Sequence, residues 1–181
     1  MRALSVCFLL SLTIAAMLQA GDVHARSSMS ELVVSEKDGK PCFALKPDRE
    51  TRRYRSRIAY VNVASDPSPG STEPARVAWA STLPPAPGEY TLGAEECLAY
   101  GQRVPGEEIV TAAQPLQPGV RYTVTMNTFL RGKGGSTNSG YAGQFCLARD
   151  RQGRVRVHDL WHAPRAGVAA GDACRPFFRQ P

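Results

Sequence analysis

Motifs for metal binding and hydrolysis are missing from this chain, and histidine is scarce, with three residues among 181. The absence of a C-x-x-C pair argues against a structural zinc site. A serine hydrolase would need a G-x-S-x-G elbow, and a P-loop would need G-x-x-x-x-G-K-[ST]; neither occurs. The adjacent acidic pairs Glu95–Glu96 and Glu107–Glu108 would point to opposite faces of a strand, so neither makes a glycosidase couple. We therefore predict no catalytic residue, no cofactor and no metal.

The segment from His158 to His162 comes closest to a metal motif, because His-Asp-Leu-Trp-His resembles H-E-x-x-H with Asp in place of Glu. That motif brings its two histidines together on one face of a helix. Here the first histidine ends an alternating strand pattern and Pro164 follows the second. Four residues of extended chain span roughly 13 Å. We therefore expect two edge histidines and not a zinc site.

Long apolar runs are also rare, and the one that is present lies at the start of the sequence. Residues 4–18 are apolar and follow the basic Arg2, and the small residues around Ala25 suit a signal peptidase. We expect a signal peptide over residues 1–25, with cleavage after Ala20 as the alternative. Cys7 is too early to form a lipobox. Residues 26–181 would then form a single domain with a proline-rich C-terminal tail and no stable membrane insertion.

Four cysteines remain after the predicted cleavage, which in an exported chain implies two disulfides with three possible pairings. We predict the pairs Cys42–Cys97 and Cys146–Cys174. The first pair would join an early strand to a middle strand, and the second would pin the tail to a later strand.

The pattern of apolar residues predicts an all-β fold. Short strands alternate with turns rich in Pro and Gly, without an amphipathic helix or an internal repeat. This organisation is typical of a disulfide-stapled, immunoglobulin-like antiparallel β-sandwich. The main predicted strands are residues 31–36, 41–45, 58–63, 75–80, 121–130, 141–150 and 154–158.

Positive charge dominates, with a formal net charge of +6. A basic surface favours acidic partners, although it also serves solubility alone. Five arginines cluster at positions 49, 52, 53, 55 and 57. Such a run is more often a solvated loop than a nucleic-acid site, and Tyr54 is the one aromatic residue that could stack on bases. We predict no nucleic-acid partner.

Residues 131–140 contain no large apolar side chain, are rich in glycine, and lie between two predicted strands. We interpret them as a long, mobile hairpin loop, in the position that binding proteins use to present specificity. The candidate partner-binding residues are Arg131, Lys133, Gly134, Asn138 and Tyr141.

Several segments, taken in order, carry a resemblance to a family. They are Lys40-Pro-Cys-Phe-Ala-Leu45, the Trp79 strand, Glu96-Cys-Leu-Ala-Tyr-Gly101, Leu116-Gln-Pro-Gly-Val-Arg-Tyr122, Phe145-Cys-Leu147 and Gln152-Gly-Arg-Val-Arg-Val157. Their order resembles that of small periplasmic β-sandwich proteins identified as immunity proteins of the type VI secretion system, most of which are lipoproteins. The resemblance implies a periplasmic, non-catalytic protein that binds and neutralises a secreted toxin, and we expect it to be a monomer on its own. This chain departs from the family in lacking a lipobox. The alternatives are a structural or adhesive subunit of the cell envelope and an envelope hydrolase.

Overall fold

A computed structural model describes residues 29–66, 74–85, 88–132, 135–150, 152–162 and 174. These residues contain ten β-strands and no helix, so the predicted all-β class is confirmed. The strands are β1 (Ser30–Lys37), β2 (Lys40–Leu45), β3 (Ser56–Ser65), β4 (Val77–Thr82), β5 (Thr91–Leu92), β6 (Cys97–Ala99), β7 (Glu108–Thr111), β8 (Arg121–Gly132), β9 (Gly135–Arg149) and β10 (Val155–Asp159).

The strands form one hydrogen-bonded sheet in the order β6-β2-β1-β9-β8-β3-β4-β7, with β10 added on β9 and β5 on β3. Its pairs are antiparallel except for β1 with β9, which run parallel over Ser30↔Tyr141 and Glu31↔Ala142. The sheet curls at this junction, because β1 then leaves β9 and pairs with β2. The immunoglobulin-like sandwich stays a prediction, since the described strands make one continuous path and not two separate sheets.

A glycine of β9 lies where β1 approaches it most closely. A Cβ atom placed on Gly143 would lie 3.1 Å from Leu32 Cβ and 3.3 Å from Leu32 O. The bare backbone of β9 therefore lets β1 cross over it at close range. Beyond the crossing, β10 takes over the vacated edge of β9, from Asp159↔Phe145 to Val155↔Arg149.

Aromatic side chains fill the space that the curled sheet encloses. Phe145 of β9 lies 5.4 Å from the Tyr122 ring of β8 and 5.6 Å from the Phe43 ring of β2, measured between ring centroids. Trp79 of β4 meets Tyr100 edge-on at 5.5 Å. The β2–β6 end thus packs against both the β8–β9 pair and β4. Trp79 belongs to the core, since its side chain is buried.

Both predicted disulfides are present. Cys42 and Cys97 lie on the neighbouring strands β2 and β6, with a Cα–Cα distance of 5.5 Å. Cys146 of β9 binds Cys174 with a Cα–Cα distance of 5.7 Å, so the C-terminal segment is tied to the sheet at that residue. Two disulfides are consistent with an oxidising compartment, as expected for an exported protein.

The predicted hairpin loop differs from the structure in one respect. β8 and β9 pair over twelve positions, from Arg121↔Cys146 to Gly132↔Gly135. Most of residues 131–140 therefore belongs to strands, and only Lys133 and Gly134, which lie outside the described residues, connect them. Sequence reasoning failed here because glycine and serine are poor strand formers by themselves. The backbone pairing with β8 overrides that local preference.

Candidate binding surface at the hairpin end

The end of the β8–β9 hairpin extends past its neighbours in the sheet. β3 accompanies β8 only as far as Ser56↔Leu130, and β1 joins β9 only from Tyr141 onward. Among the described residues, Gly135–Gly140 of β9 therefore pairs with β8 alone. We call the rungs from Thr128↔Ser139 to Gly132↔Gly135 the hairpin end.

The root of the hairpin end is held by packing on both faces of the sheet. Thr128 is completely buried on the inner face. On the other face, the guanidinium of Arg57 lies 4.2 Å from the centroid of the Phe129 ring, a cation–π contact between directly paired residues. These contacts orient the two-stranded extension before any partner arrives.

The predicted partner-binding residues fall into three groups. Arg131 and Asn138 lie on the strands of the hairpin end, opposite Ser136 and Phe129. Lys133 and Gly134 are outside the described residues. Tyr141 belongs to the core, with only 3% of its surface exposed, and burial together with the charges of Asp48 and Glu50 raises its phenol pKa. Tyr141 thus lies in the core where β1 joins β9, and its contact with a partner stays a prediction.

A second feature borders the hairpin end and was not predicted as part of a site. Residues 46–55, here called the cationic turn, connect β2 to β3 and are ordered by Asp48. Its Oδ1 accepts hydrogen bonds from the backbone N–H groups of Glu50 at 2.8 Å and Thr51 at 2.7 Å. In return, the Asp48 N–H donates to Thr51 Oγ1 at 2.8 Å. The bond from the Thr51 N–H is the largest cause lowering the pKa of the Asp48 carboxyl.

This reciprocal arrangement has the form of a capping box, with Asp48 as cap and Thr51 three residues later. A single helical turn follows, in which the backbone N–H of Tyr54 donates to Glu50 O at 2.9 Å. The signal was present in the sequence as Asp-Arg-Glu-Thr. No apolar periodicity follows it, however, so the sequence analysis interpreted the arginine run as a solvated loop.

Both ends of the cationic turn are attached to the sheet. At one end, Lys46 forms an ion pair with Glu31 of β1. At the other, Arg55 binds both oxygens of Glu96, at 2.6 and 2.5 Å, and also donates from Nε to Thr91 Oγ1 at 2.9 Å. The bond with Arg55 lowers the pKa of Glu96. Arg55 therefore has a structural role, as Arg57 has at the Phe129 ring.

The two histidines of the metal-like motif do not form a common site. His158 lies in β10 opposite Cys146, whereas His162 follows the strand and turns back onto Asp159, with Nδ1 2.9 Å from Oδ2. His162 Nε2 lies 3.3 Å from Glu31 Oε2. Asp159 also accepts a hydrogen bond from the Val34 N–H at 2.9 Å. The cluster fastens the end of β10 to β1.

No cluster of three or more ligands suited to a metal ion occurs within the described ranges. One carboxylate of each acidic pair has a structural partner. Glu96 binds Arg55, and the almost fully buried Glu107 carboxylate accepts a hydrogen bond from Ser81 Oγ at 2.9 Å and pairs with Arg103 at 2.5 Å. In the part of the chain that the structure describes, no helix is long and apolar enough to cross a membrane.

Comparison of the chain with protein-family models, with curated proteins and with solved structures finds no match. The geometry of the hairpin end and of the cationic turn is thus the basis for assigning a function.

Proposed function

We propose that this chain is an exported, non-catalytic binding protein that engages a protein partner through the hairpin end. The partner class that fits the sequence resemblance is a secreted toxin of the type VI system, which the protein would neutralise in the periplasm by direct binding. The free protein would be a monomer.

The extension of the β8–β9 hairpin beyond its neighbouring strands is the observation that carries this proposal. In the described part of the chain, no other strand pairs with the edge of Gly135–Gly140 that faces away from β8, where every second residue of an antiparallel strand directs its N–H and C=O groups. An exposed strand edge is one of the recurrent ways in which proteins bind an extended segment of a partner. The sequence of this edge, Gly135-Ser-Thr-Asn-Ser-Gly140, contains no bulky residue that would keep such a segment at a distance.

The rigidity of the scaffold supports the proposal as well. An arm held by the Arg57–Phe129 contact and the buried Thr128 loses less conformational entropy on binding than a mobile loop would.

The disulfides add support for an exported location, because they form and persist in oxidising compartments. A toxin-neutralising protein in the periplasm would need cross-links that persist in this way.

The test begins with capture of partners from the envelope fraction of sibling cells, with the purified mature protein as bait. A shortened variant lacks Arg131, Gly132, Gly135 and Ser136, which removes two rungs and keeps the two-residue connection. The matched control removes the last rung of another hairpin, Lys37↔Lys40 of β1 and β2. We expect the shortened variant to lose the captured protein and the control to keep it.

Toxicity supplies the second readout. We expect the captured protein to inhibit growth when it is exported to the periplasm, and co-export of the wild-type chain to restore growth. Restoration by the shortened variant, or capture that is equal for both variants, would contradict a binding role for the hairpin end. Failure of the wild-type bait to retain any protein would contradict the binding function itself.

A further inference from the structure

Positive charge is concentrated next to the hairpin end. The cationic turn contains five basic and two acidic residues, a net of three charges and half of the formal net charge of the whole chain, +6. The sequence alone does not show which of these charged side chains have contacts within the protein and which are available to a partner. The structure distinguishes the two groups.

The arginines of the run have different roles. Arg55 is bound to Glu96 and Thr91, and Arg57 covers the Phe129 ring. Arg49, Arg52 and Arg53 are exposed, and among the described residues no carboxylate forms an ion pair with any of them. By contrast, Arg103, Arg121, Arg154 and Arg156 all pair with carboxylates. After the Thr51 N–H, the charge of Arg52 also contributes to the lowered pKa of Asp48. Within the described part of the chain, three neighbouring guanidinium groups are thus presented without an ion pair.

The backbone that carries these three arginines is held by hydrogen bonds. A charged loop that served solubility alone would not need such a fixed backbone. The Asp48–Thr51 capping box and the N–H of Arg53, which donates to Glu50 O at 3.0 Å, hold all three arginines on one helical turn. Thr51 itself is 3% exposed, so the turn is anchored in the protein and not merely laid on its surface.

The turn leads directly into the hairpin end. Ser56 follows Arg55 and pairs with Leu130, which precedes Arg131, so in these antiparallel strands Arg55 and Arg131 both lie one position beyond the same rung. On the other side, Asp48 and Glu50 are close enough to the Tyr141 hydroxyl at the hairpin root to influence it electrostatically. The cationic turn and the hairpin end therefore lie on the same end of the molecule.

We infer that Arg49, Arg52 and Arg53 form a second part of the binding surface and recognise a carboxylate-rich patch on the protein partner. This inference rests on the proposed function and specifies the chemistry of the partner. Guanidinium groups match carboxylates in planar, two-pronged hydrogen bonds. A nucleic acid fits less well, because Tyr54 is the only aromatic residue of the turn and binding of single strands usually uses several aromatic side chains on which bases stack.

The experiment uses three probes at low and high salt: a short poly-glutamate peptide, an oligothymidylate of equal charge, and vesicles of phosphatidylglycerol. The test variant carries Arg49→Gln, Arg52→Gln and Arg53→Gln. Its control carries Lys37→Gln, Lys40→Gln and Arg76→Gln, which removes the same charge at exposed positions elsewhere. A third variant replaces the three arginines of the turn with lysine. Thermal unfolding of every variant verifies the fold.

We expect the test variant to bind poly-glutamate about tenfold more weakly, as the sum of three modest surface contacts, and the control to bind like the wild type. The lysine variant should fall between them, because it keeps charge but loses two-pronged bonding. An equal loss in the control, or wild-type protein that does not bind the peptide, would overturn the inference. Stronger, arginine-dependent binding of the oligothymidylate or the vesicles would overturn it too, and would assign the turn to phosphate groups.

The inference and the proposed function can fail separately. A captured partner that is lost on shortening the hairpin but kept by the glutamine variant would overturn the role of the arginines and leave the proposed function standing. A partner lost with the glutamine variant but kept by the shortened hairpin would overturn the role of the hairpin end and leave the role of the arginines standing.

Discussion

Replacement of Gly143 by alanine tests the crossing on which the curl of the sheet depends. An alanine Cβ at this position would meet Leu32 Cβ at 3.1 Å, Leu32 O at 3.3 Å and Val34 Cγ2 at 3.3 Å. Leu32 is completely buried and Val34 is 5% exposed, so neither side chain can swing into solvent. One of the contacted atoms is backbone, and it can move only if β1 as a whole moves.

The size of the effect follows from two opposing contributions. Overpacking of a well-packed core costs about 1–3 kcal/mol. Gly→Ala also restricts the unfolded chain, which stabilises the protein by about 0.4–1 kcal/mol. We expect a net loss of about 1–2 kcal/mol in the free energy of unfolding, which for a domain of this size lowers Tm by about 3–6 °C.

Denaturant and thermal unfolding measure this difference, and Gly140→Ala is the matched control. Gly140 lies on the same strand, but its Cβ would meet only the side chain of Met29, at 3.4 Å from Cε, and 45% of Met29 is exposed. That variant should be as stable as the wild type or slightly more stable. If Gly143→Ala proved neutral, or if both variants lost the same stability, β1 would not cross β9 at this distance.

Three further predictions concern the framework. Tyr100→Phe should cost about 1 kcal/mol, because it removes the buried hydroxyl whose hydrogen-bond acceptors are Gln114 O at 2.7 Å and Ala78 O at 2.9 Å. Burial raises the pKa of Tyr100 to about 12, so its ultraviolet titration should occur at higher pH than that of free tyrosine. Cys42→Ser with Cys97→Ser opens a loop with a sequence separation of 55 and should reduce the unfolding free energy by about 4 kcal/mol, whereas a loss below 1 kcal/mol would contradict the loop-closure argument. The Val157 N–H, with Arg156, lowers the pKa of Glu36. The ionised carboxylate therefore stabilises the fold above its unfolded pKa, and this contribution is lost as pH falls through the lower folded pKa. In acid titrations followed by denaturant, Glu36→Gln should show a smaller loss of stability than the wild type, and an unchanged loss would refute the assignment.

The local sequence pattern was informative where side chains alternate between core and solvent. The alternation of Tyr122, Val124 and Met126 predicts one buried face of β8, and all three side chains are buried. The four cysteines beyond Cys7 predicted two disulfides but allowed three pairings. The pairing chosen is confirmed, and β2–β6 adjacency brings Cys42 and Cys97 within bonding distance.

The local sequence pattern was insufficient where the conformation or burial of a residue depends on partners that are distant in the sequence. The strand conformation of residues 135–140 comes from β8, and the burial of Tyr141 comes from β1 and the root of the hairpin. Nothing within these segments distinguishes them from an exposed loop. The local sequence lacks the apolar periodicity on which such a distinction depends.

The amino-acid sequence by itself determined the all-β class and the number of disulfides, because both follow from short-range periodicity and from composition. The tertiary structure decided which charges are committed to the fold. Arg55 and Arg53 are almost adjacent, yet Arg55 binds Glu96, 41 residues away, and Arg53 has no carboxylate partner among the described residues. Ion pairs form between groups that folding brings together, so the division of one arginine run into structural and available residues exists only in three dimensions.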